Sequence, residues 1–97
     1  MTVTHMDIPK HFEFDDLEFK PHPILGSPHI QAMHVFPNGY GVSVVRGPAT
    51  RGGTQGLYEL AVMRNGEVCY TTPVTQDTIG YLKPRDINKL LAQVAAL

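Results

Sequence analysis

The stretch that decides the fold is Asn38-Gly39-Tyr40-Gly41-Val42-Ser43-Val44-Val45-Arg46-Gly47. Its Asn-Gly pair tolerates the positive φ angles that tight hairpin turns require, and the valine-rich run after it is typical of a strand. The glycine at its end opens a longer loop. We therefore expect a hairpin turn at residues 37–39, followed by a strand from Tyr40 to Arg46.

The residues before this turn predict the other strand of the hairpin, from Ile30 to Phe36. A second Asn-Gly pair, Asn65-Gly66, predicts another hairpin between strands at residues 57–63 and 67–72. A two-residue loop there sets Arg64 opposite Glu67 and Met63 opposite Val68. The first pair joins opposite charges and the second joins two apolar side chains, so the local chemistry supports this register.

The C-terminal segment predicts a helix that begins at Pro84, because proline suits the first helical position. Asp86 lies near the positive end of the helix dipole. Apolar residues then recur at spacings of three and four, which forms one stripe for packing on the sheet: Ile87, Leu90, Leu91, Val94 and Leu97.

The composition indicates one globular domain. The chain has 97 residues, of which 42 % are hydrophobic and 18 % are charged. We predict an α+β fold with an antiparallel sheet of about four strands, one C-terminal helix packed on one face, and an extended N-terminal arm. The arm comprises residues 1–29 and the single α+β domain residues 30–97.

The charge, the cysteine content and the absence of targeting signals argue against several classes of protein. The net charge is −1, whereas nucleic-acid-binding proteins usually carry a basic excess that contacts phosphate. The single cysteine, Cys69, excludes an internal disulfide. The first seven residues lack the features of a signal peptide, and no apolar run is long enough to span a membrane. We therefore expect a cytoplasmic protein without a membrane partner.

The glycine-rich loop at residues 47–56 nearly matches the phosphate-binding pattern G-x-x-x-x-G-K-[ST]. However, Gly53 stands where the lysine belongs, and a strand follows where a helix should begin. Four glycines and one proline predict no regular element here. We interpret the segment as a mobile recognition loop in which Arg46 and Arg51, with Tyr58 nearby, bind carboxylates or phosphates of a partner.

The N-terminal arm carries acidic and aromatic residues together. Residues 12–15 alternate like a short strand, and four apolar side chains offer anchors to the body: Phe12, Phe14, Leu17 and Phe19. Asp15, Asp16 and Glu18 are candidate contacts to a basic partner surface.

Catalytic motifs are absent from the sequence. His22, His29 and His34 can in principle hold a metal, but their spacing matches no recognised zinc pattern. Ser43, His34 and Asp77 can be combined as a catalytic set, yet no G-x-S-x-G motif surrounds Ser43. We expect no enzyme activity, no cofactor and no metal. A small hydrolase or metal-dependent enzyme using the three histidines, or a nucleic-acid accessory protein, is the alternative.

Several segments, at residues 16–23, 36–45, 56–62 and 72–82, resemble a group of small uncharacterised bacteriophage and prophage proteins with the pattern FPNGYGVSVV…GLYELAV. The resemblance implies a phage product in the cytoplasm of an infected bacterium. It also implies an accessory factor or inhibitor that binds host machinery, including defence complexes. We therefore expect a non-enzymatic protein that binds a host or phage protein, and that can form a homo-oligomer through a sheet edge.

Overall fold

The computed structural model describes residues 11–97 and shows an α+β fold in which an antiparallel sheet carries one C-terminal helix. The fold class predicted from the sequence is confirmed. Residues 1–10 of the predicted arm, including the segment compared with signal peptides, lie outside the described residues. The described part has six strands rather than four: β1 (Lys20–Pro21), β2 (Ile30–Val35), β3 (Tyr40–Arg46), β4 (Tyr58–Arg64), β5 (Glu67–Val68) and β6 (Ile79–Leu82). Helix α1 spans Pro84–Ala95.

The strands lie in the order β1-β2-β3-β4-β5, and β6 pairs with β4. All of these pairs are antiparallel. Both predicted hairpins form, and the second has the predicted register, with Met63 opposite Val68 and Arg64 opposite Glu67. Turn chemistry and side-chain pairing therefore suffice to place the local hairpins.

The strand predicted at residues 67–72 is wrong beyond Val68. The N–H of Cys69 still donates to the carbonyl of Val62 at 2.7 Å, but the chain then leaves β4. The remaining outer edge of β4 pairs instead with β6, where Tyr58 lies opposite Leu82. No local pattern predicts β6, because it is four residues long and contains a glycine.

The core lies between α1 and the sheet face formed by even-numbered residues of the central strands. Val42, Val44 and Leu60 on this face are 0 % exposed. From the predicted helical stripe, Ile87, Leu91 and Val94 are also fully buried, whereas Leu90 and Leu97 are partly buried. The helical periodicity therefore identified the packed side of α1.

The arm packs on the same side of the sheet as α1. Its aromatic residues and Leu17 join the core, and the N–H of Phe14 donates to the side-chain oxygen of Asn88 on α1 at 2.7 Å. The short strand predicted at residues 12–15 is wrong, because Phe14–Asp16 form a 3₁₀ turn. The Asp16 carboxylate accepts from the N–H of Glu13 at 2.9 Å and so closes this turn.

The hairpin turn at residues 37–39 also contacts the end of α1. The side-chain NH₂ of Asn38 donates to the carbonyls of Val94 at 2.9 Å and Ala95 at 3.2 Å. The side-chain oxygen of Asn38 accepts from the N–H of Tyr40 at 2.9 Å. One residue thus fixes both the β2–β3 turn and the C-terminal end of the helix.

Within residues 11–97, we find no helix with the length and apolar character needed to cross a bilayer.

Candidate functional site

Arg51, predicted to face a partner, is held by contacts within the protein. Its backbone N–H donates to Glu59 Oε1 at 3.0 Å, and its Nε lies 3.3 Å from Glu59 Oε2. Its Nη2 donates to the backbone carbonyl of Thr78 at 3.2 Å and also contacts the hydroxyl of that residue. Arg51 therefore connects the loop to β4 and to the segment before β6. Its side chain is still 49 % exposed, so a partner can reach it.

Glu59 collects the hydrogen bonds of this network. Burial acts to raise the pKa of Glu59, but the backbone N–H of Arg51 and the hydroxyl of Thr78 stabilise the carboxylate and lower the pKa overall. The nearby guanidinium of Arg51 adds to this lowering. The network consequently keeps Glu59 charged to a lower pH than an ordinary glutamate.

The loop itself consists of consecutive turns. Gly53–Gln55 form a 3₁₀ turn, so the prediction of no regular element in residues 47–56 is wrong at this point. Glycine is needed at residue 52, whose φ is +86°, because side chains rarely adopt this conformation. The chain then enters β4 rather than a helix, as expected from the missing phosphate-loop features.

Arg46 and Tyr58 contact each other at the end of β3. Arg46 Nη1 donates to the Tyr58 hydroxyl at 3.1 Å, and the guanidinium carbon lies 5.0 Å from the ring centroid. Tyr58 is only 9 % exposed, and its ring packs against Phe14 and Phe19 of the arm. The structure thus brings the arm and one end of the loop together at Tyr58. Whether Arg46 and Tyr58 also contact a partner stays a prediction.

The acidic residues of the arm lie around the 3₁₀ turn. Asp15 and Glu18 are exposed, whereas Asp16 is half-buried and caps the turn. Lys20 follows at the start of β1 and is also exposed. The arm therefore presents a surface with more acidic than basic side chains.

The structure does not bring the three histidines together as a metal site. His22 Nδ1 accepts from the N–H groups of Ile24 and Leu25, each at 3.1 Å, and His29 Nε2 accepts from the N–H of Ala49 at 3.0 Å. The ring of His34 is stacked on Phe12 at 3.6 Å between centroids. In the described chain, no group of three or more His, Cys, Asp or Glu side chains is placed to hold a metal ion.

Ser43 and His34 cannot act as a nucleophile and its base. Ser43 lies on an odd-numbered position of β3, on the sheet face away from α1, and accepts from Gln31 Nε2 at 2.9 Å. His34 lies on the opposite face, where it contacts Phe12 and Phe36. The sheet backbone therefore separates the two side chains.

The odd-numbered residues form a second sheet face, which we call the open face. A row of directly opposed residues crosses it through four strands: Val35, Gly41, Met63 and Val68. Val35 is 68 % exposed, Val68 39 % and the neighbouring Met33 53 %, whereas Met63 in the middle of the row is only 9 % exposed. An added side chain at Gly41 would collide with the carbonyl oxygen of His34, so the row has a gap beside Val35. The open face thus presents apolar side chains to solvent at its two ends, on β2 and on β5.

Sequence reasoning predicted strand β2 but did not identify the open face as a candidate site. The available signal was that β2 has apolar residues on both faces, namely Ala32 and Ile30 on one and Met33 and Val35 on the other. A strand at the surface usually has one polar face. Two apolar faces indicate a second contact beyond the core.

Comparisons of this chain with protein-family models, with curated proteins and with solved structures found no match.

Proposed function

We propose that this chain is a non-enzymatic binding protein that acts by contact with another protein. The observation that carries the proposal is the exposure of Met33, Val35 and Val68 on the open face. Apolar side chains grouped on one surface are typical of protein–protein contacts. Glu18 and Lys20, which line a hollow together with Met33, supply charged side chains of the kind found at the rim of such contacts.

The setting of the proposal comes from the sequence resemblance. A small phage product in the cytoplasm of an infected bacterium meets host enzymes and defence complexes as partners. We propose that the chain acts there as an accessory factor or inhibitor. The open face provides the apolar centre of the contact, and Glu18, which lines a hollow with Met33, provides a charged contact beside it. Arg51 on the loop and Asp15 on the α1 side of the sheet are further exposed charges that a partner can contact.

Affinity capture from a lysate of infected bacteria, quantified by mass spectrometry, tests the proposal. The double variant Val35→Lys with Val68→Lys should reduce recovery of the main partner by about tenfold or more, since interface centres tolerate charge poorly. Gln93→Lys is the control for an added lysine, because it places one positive charge at an exposed position of α1. Thermal unfolding followed by circular dichroism checks that each variant is folded.

Two further variants locate the contact. Arg51→Gln removes the charge of the loop, and Asp15→Lys reverses a charge on the arm. If one of these variants abolished capture while the open-face variant retained it, the contact would be assigned to the loop or to the arm instead of the open face. If the wild-type chain captured no protein above the level of an unrelated control, the proposed function would be wrong.

A further inference from the structure

The outer edge of β2 has unpaired backbone groups. β1 pairs with this edge only at Ile30 and Gln31. Along an antiparallel strand, backbone groups point alternately to the two neighbours. The N–H of Phe36 donates to the carbonyl of Tyr40, so the even-numbered residues of β2 bond to β3.

It follows that Met33 and Val35 direct their N–H and C=O groups away from β3. Neither residue has a backbone hydrogen bond on that side to any part of the chain that the structure describes. The same residues carry the most exposed side chains of the strand, at 53 % and 68 %. An unpaired edge of this kind is a template for another strand.

Hollows flank this edge on both faces of the sheet. On the α1 side lies a groove of about 890 Å³ between α1, the end of β2 and the arm, with apolar side chains that include Phe12, Phe36 and Leu91. On the open-face side lies a hollow of about 350 Å³ lined by residues that include Pro21, Pro23 and Met33. A strand added to β2 sends alternate side chains to opposite faces, so its residues enter the two hollows in turn.

We propose that the edge of β2 binds an extended segment of a partner protein by strand addition, with apolar side chains at alternate positions and a lysine or arginine at its end. The basic residue is inferred from charge complementarity, because Glu13 lines the groove and Glu18 lines the hollow, opposed there only by Lys20 among the lining charges. The inference rests on the proposed function and names the chemistry of the partner.

A second copy of this chain fits the edge less well. The side chains that β2 of another copy would direct toward the groove are its even-numbered ones, and these already pack in their own chain: Ala32 and Phe36 are buried in the core and His34 is stacked on Phe12. Paired β2 strands would therefore leave the groove of about 890 Å³ unfilled. An extended segment with free apolar side chains fills it and also makes the backbone hydrogen bonds.

A synthetic peptide tests this inference on the full chain. The probe is a fluorescein-labelled peptide in which valine and threonine alternate between two lysines, and its binding is measured by fluorescence polarisation. Replacing both lysines of the probe by glutamate should weaken binding by about tenfold at low salt, where surface charges are least screened. With its valines in the groove, the probe's threonines lie opposite Met33 and Val35, so N-methylation of the threonine amides removes the backbone hydrogen bonds to the edge and should weaken binding by about tenfold or more.

A variant of the protein gives the complementary result. Val35→Pro removes the outward N–H but costs no bond to β3, and edge strands tolerate proline. It should lower affinity for the probe by about fivefold or more, since one backbone hydrogen bond is lost. Gln93→Ala, at an exposed position of α1 that does not line the groove, should leave affinity within about twofold. Equal binding of the N-methylated and unmodified probes would overturn the inference.

Amide hydrogen exchange of Met33 and Val35 tests whether the edge is instead covered by another segment of the same chain or by a second copy of the chain. We expect rapid exchange in the free protein and slower exchange with the probe bound. Slow exchange in the free monomer would assign the edge to the chain itself, and protection that grows with protein concentration would assign it to a second copy. Either result overturns the inference. If lysate capture persists when the probe fails, strand addition is wrong while the proposed function stands.

Discussion

Replacing Asn38 should destabilise the protein although the residue is exposed. Its side chain makes three hydrogen bonds, two to carbonyls at the end of α1 and one from the N–H of Tyr40. A hydrogen bond contributes about 0.5–1.5 kcal/mol net, and exposed ones lie at the low end. We therefore expect Asn38→Ala to lower the free energy of unfolding by about 1–2 kcal/mol.

The loss should be visible in both common assays. For a domain of this size, each kcal/mol lowers Tm by about 4–8 °C, so Asn38→Ala should lower Tm by about 4–16 °C. Urea unfolding followed by circular dichroism should show a lower midpoint with an unchanged slope, because the substitution alters stability and not the surface exposed on unfolding. Gln93→Ala, an exposed substitution on α1, should change the free energy by less than about 0.5 kcal/mol.

The variant Asn38→Asp separates the two roles of the side chain. A carboxylate still accepts from the N–H of Tyr40, but it cannot donate to Val94 and Ala95, and its charge faces the negative end of the helix dipole. We expect Asn38→Asp to be less stable than Asn38→Ala, with part of the difference removed by salt. If it were as stable as the wild type, the contact between the turn and α1 would contribute nothing and the reasoning would be refuted.

Further predictions concern the network, the core and the histidines. Because folding lowers the pKa of Glu59 from its ordinary value of 4.5, Glu59 stabilises the protein above that value. This contribution should be lost as the pH falls below that value, and Glu59→Gln should weaken the pH dependence of urea unfolding. Leu91→Ala should lower the free energy of unfolding by about 2–5 kcal/mol, since Leu91 is fully buried. Zinc should not raise Tm, because His22, His29 and His34 have separate contacts; a rise that chelator reverses would contradict this.

Local signals predicted the central part of the fold well. The two Asn-Gly turns fixed both hairpins, and the strand from Tyr40 to Arg46 has the bounds that the sequence indicated. In each case the signal that predicts the hairpin lies within a few neighbouring residues. It consists of a turn that needs a positive φ and of side chains that suit each other across the two strands. Such signals do not depend on where the rest of the chain packs, which is why they could be read in advance.

The edges of the sheet could not be predicted in this way. β1 has two residues and β6 has four, and each is held by a partner strand rather than by its own pattern. Tyr81 within β6 even has a φ of +59°, which is uncommon for a residue with a side chain. Elements of this kind exist because a neighbouring strand has free backbone groups, so only the assembled sheet reveals them.

The charged residues of the predicted site show the same limit. Arg51 lies 27 residues before Thr78, its hydrogen-bond partner. The sequence offered no sign that these residues meet, so Arg51 looked free to bind a partner. Contacts over such separations depend on the path of the whole chain.

The apolar residues of β2 on the face away from α1 are not explained by packing in the core. In residues 11–97 one helix covers one face of the sheet, so the apolar residues of the second face remain unexplained by the core. Val35 is exposed on that face, and its backbone is also unpaired at the strand edge. An exposed edge with apolar side chains favours association, and natural proteins usually protect such edges with charge or with short strands. β1 protects only residues 30 and 31 of β2, which leaves Met33 and Val35 as the place where a partner strand gains both backbone hydrogen bonds and apolar contacts.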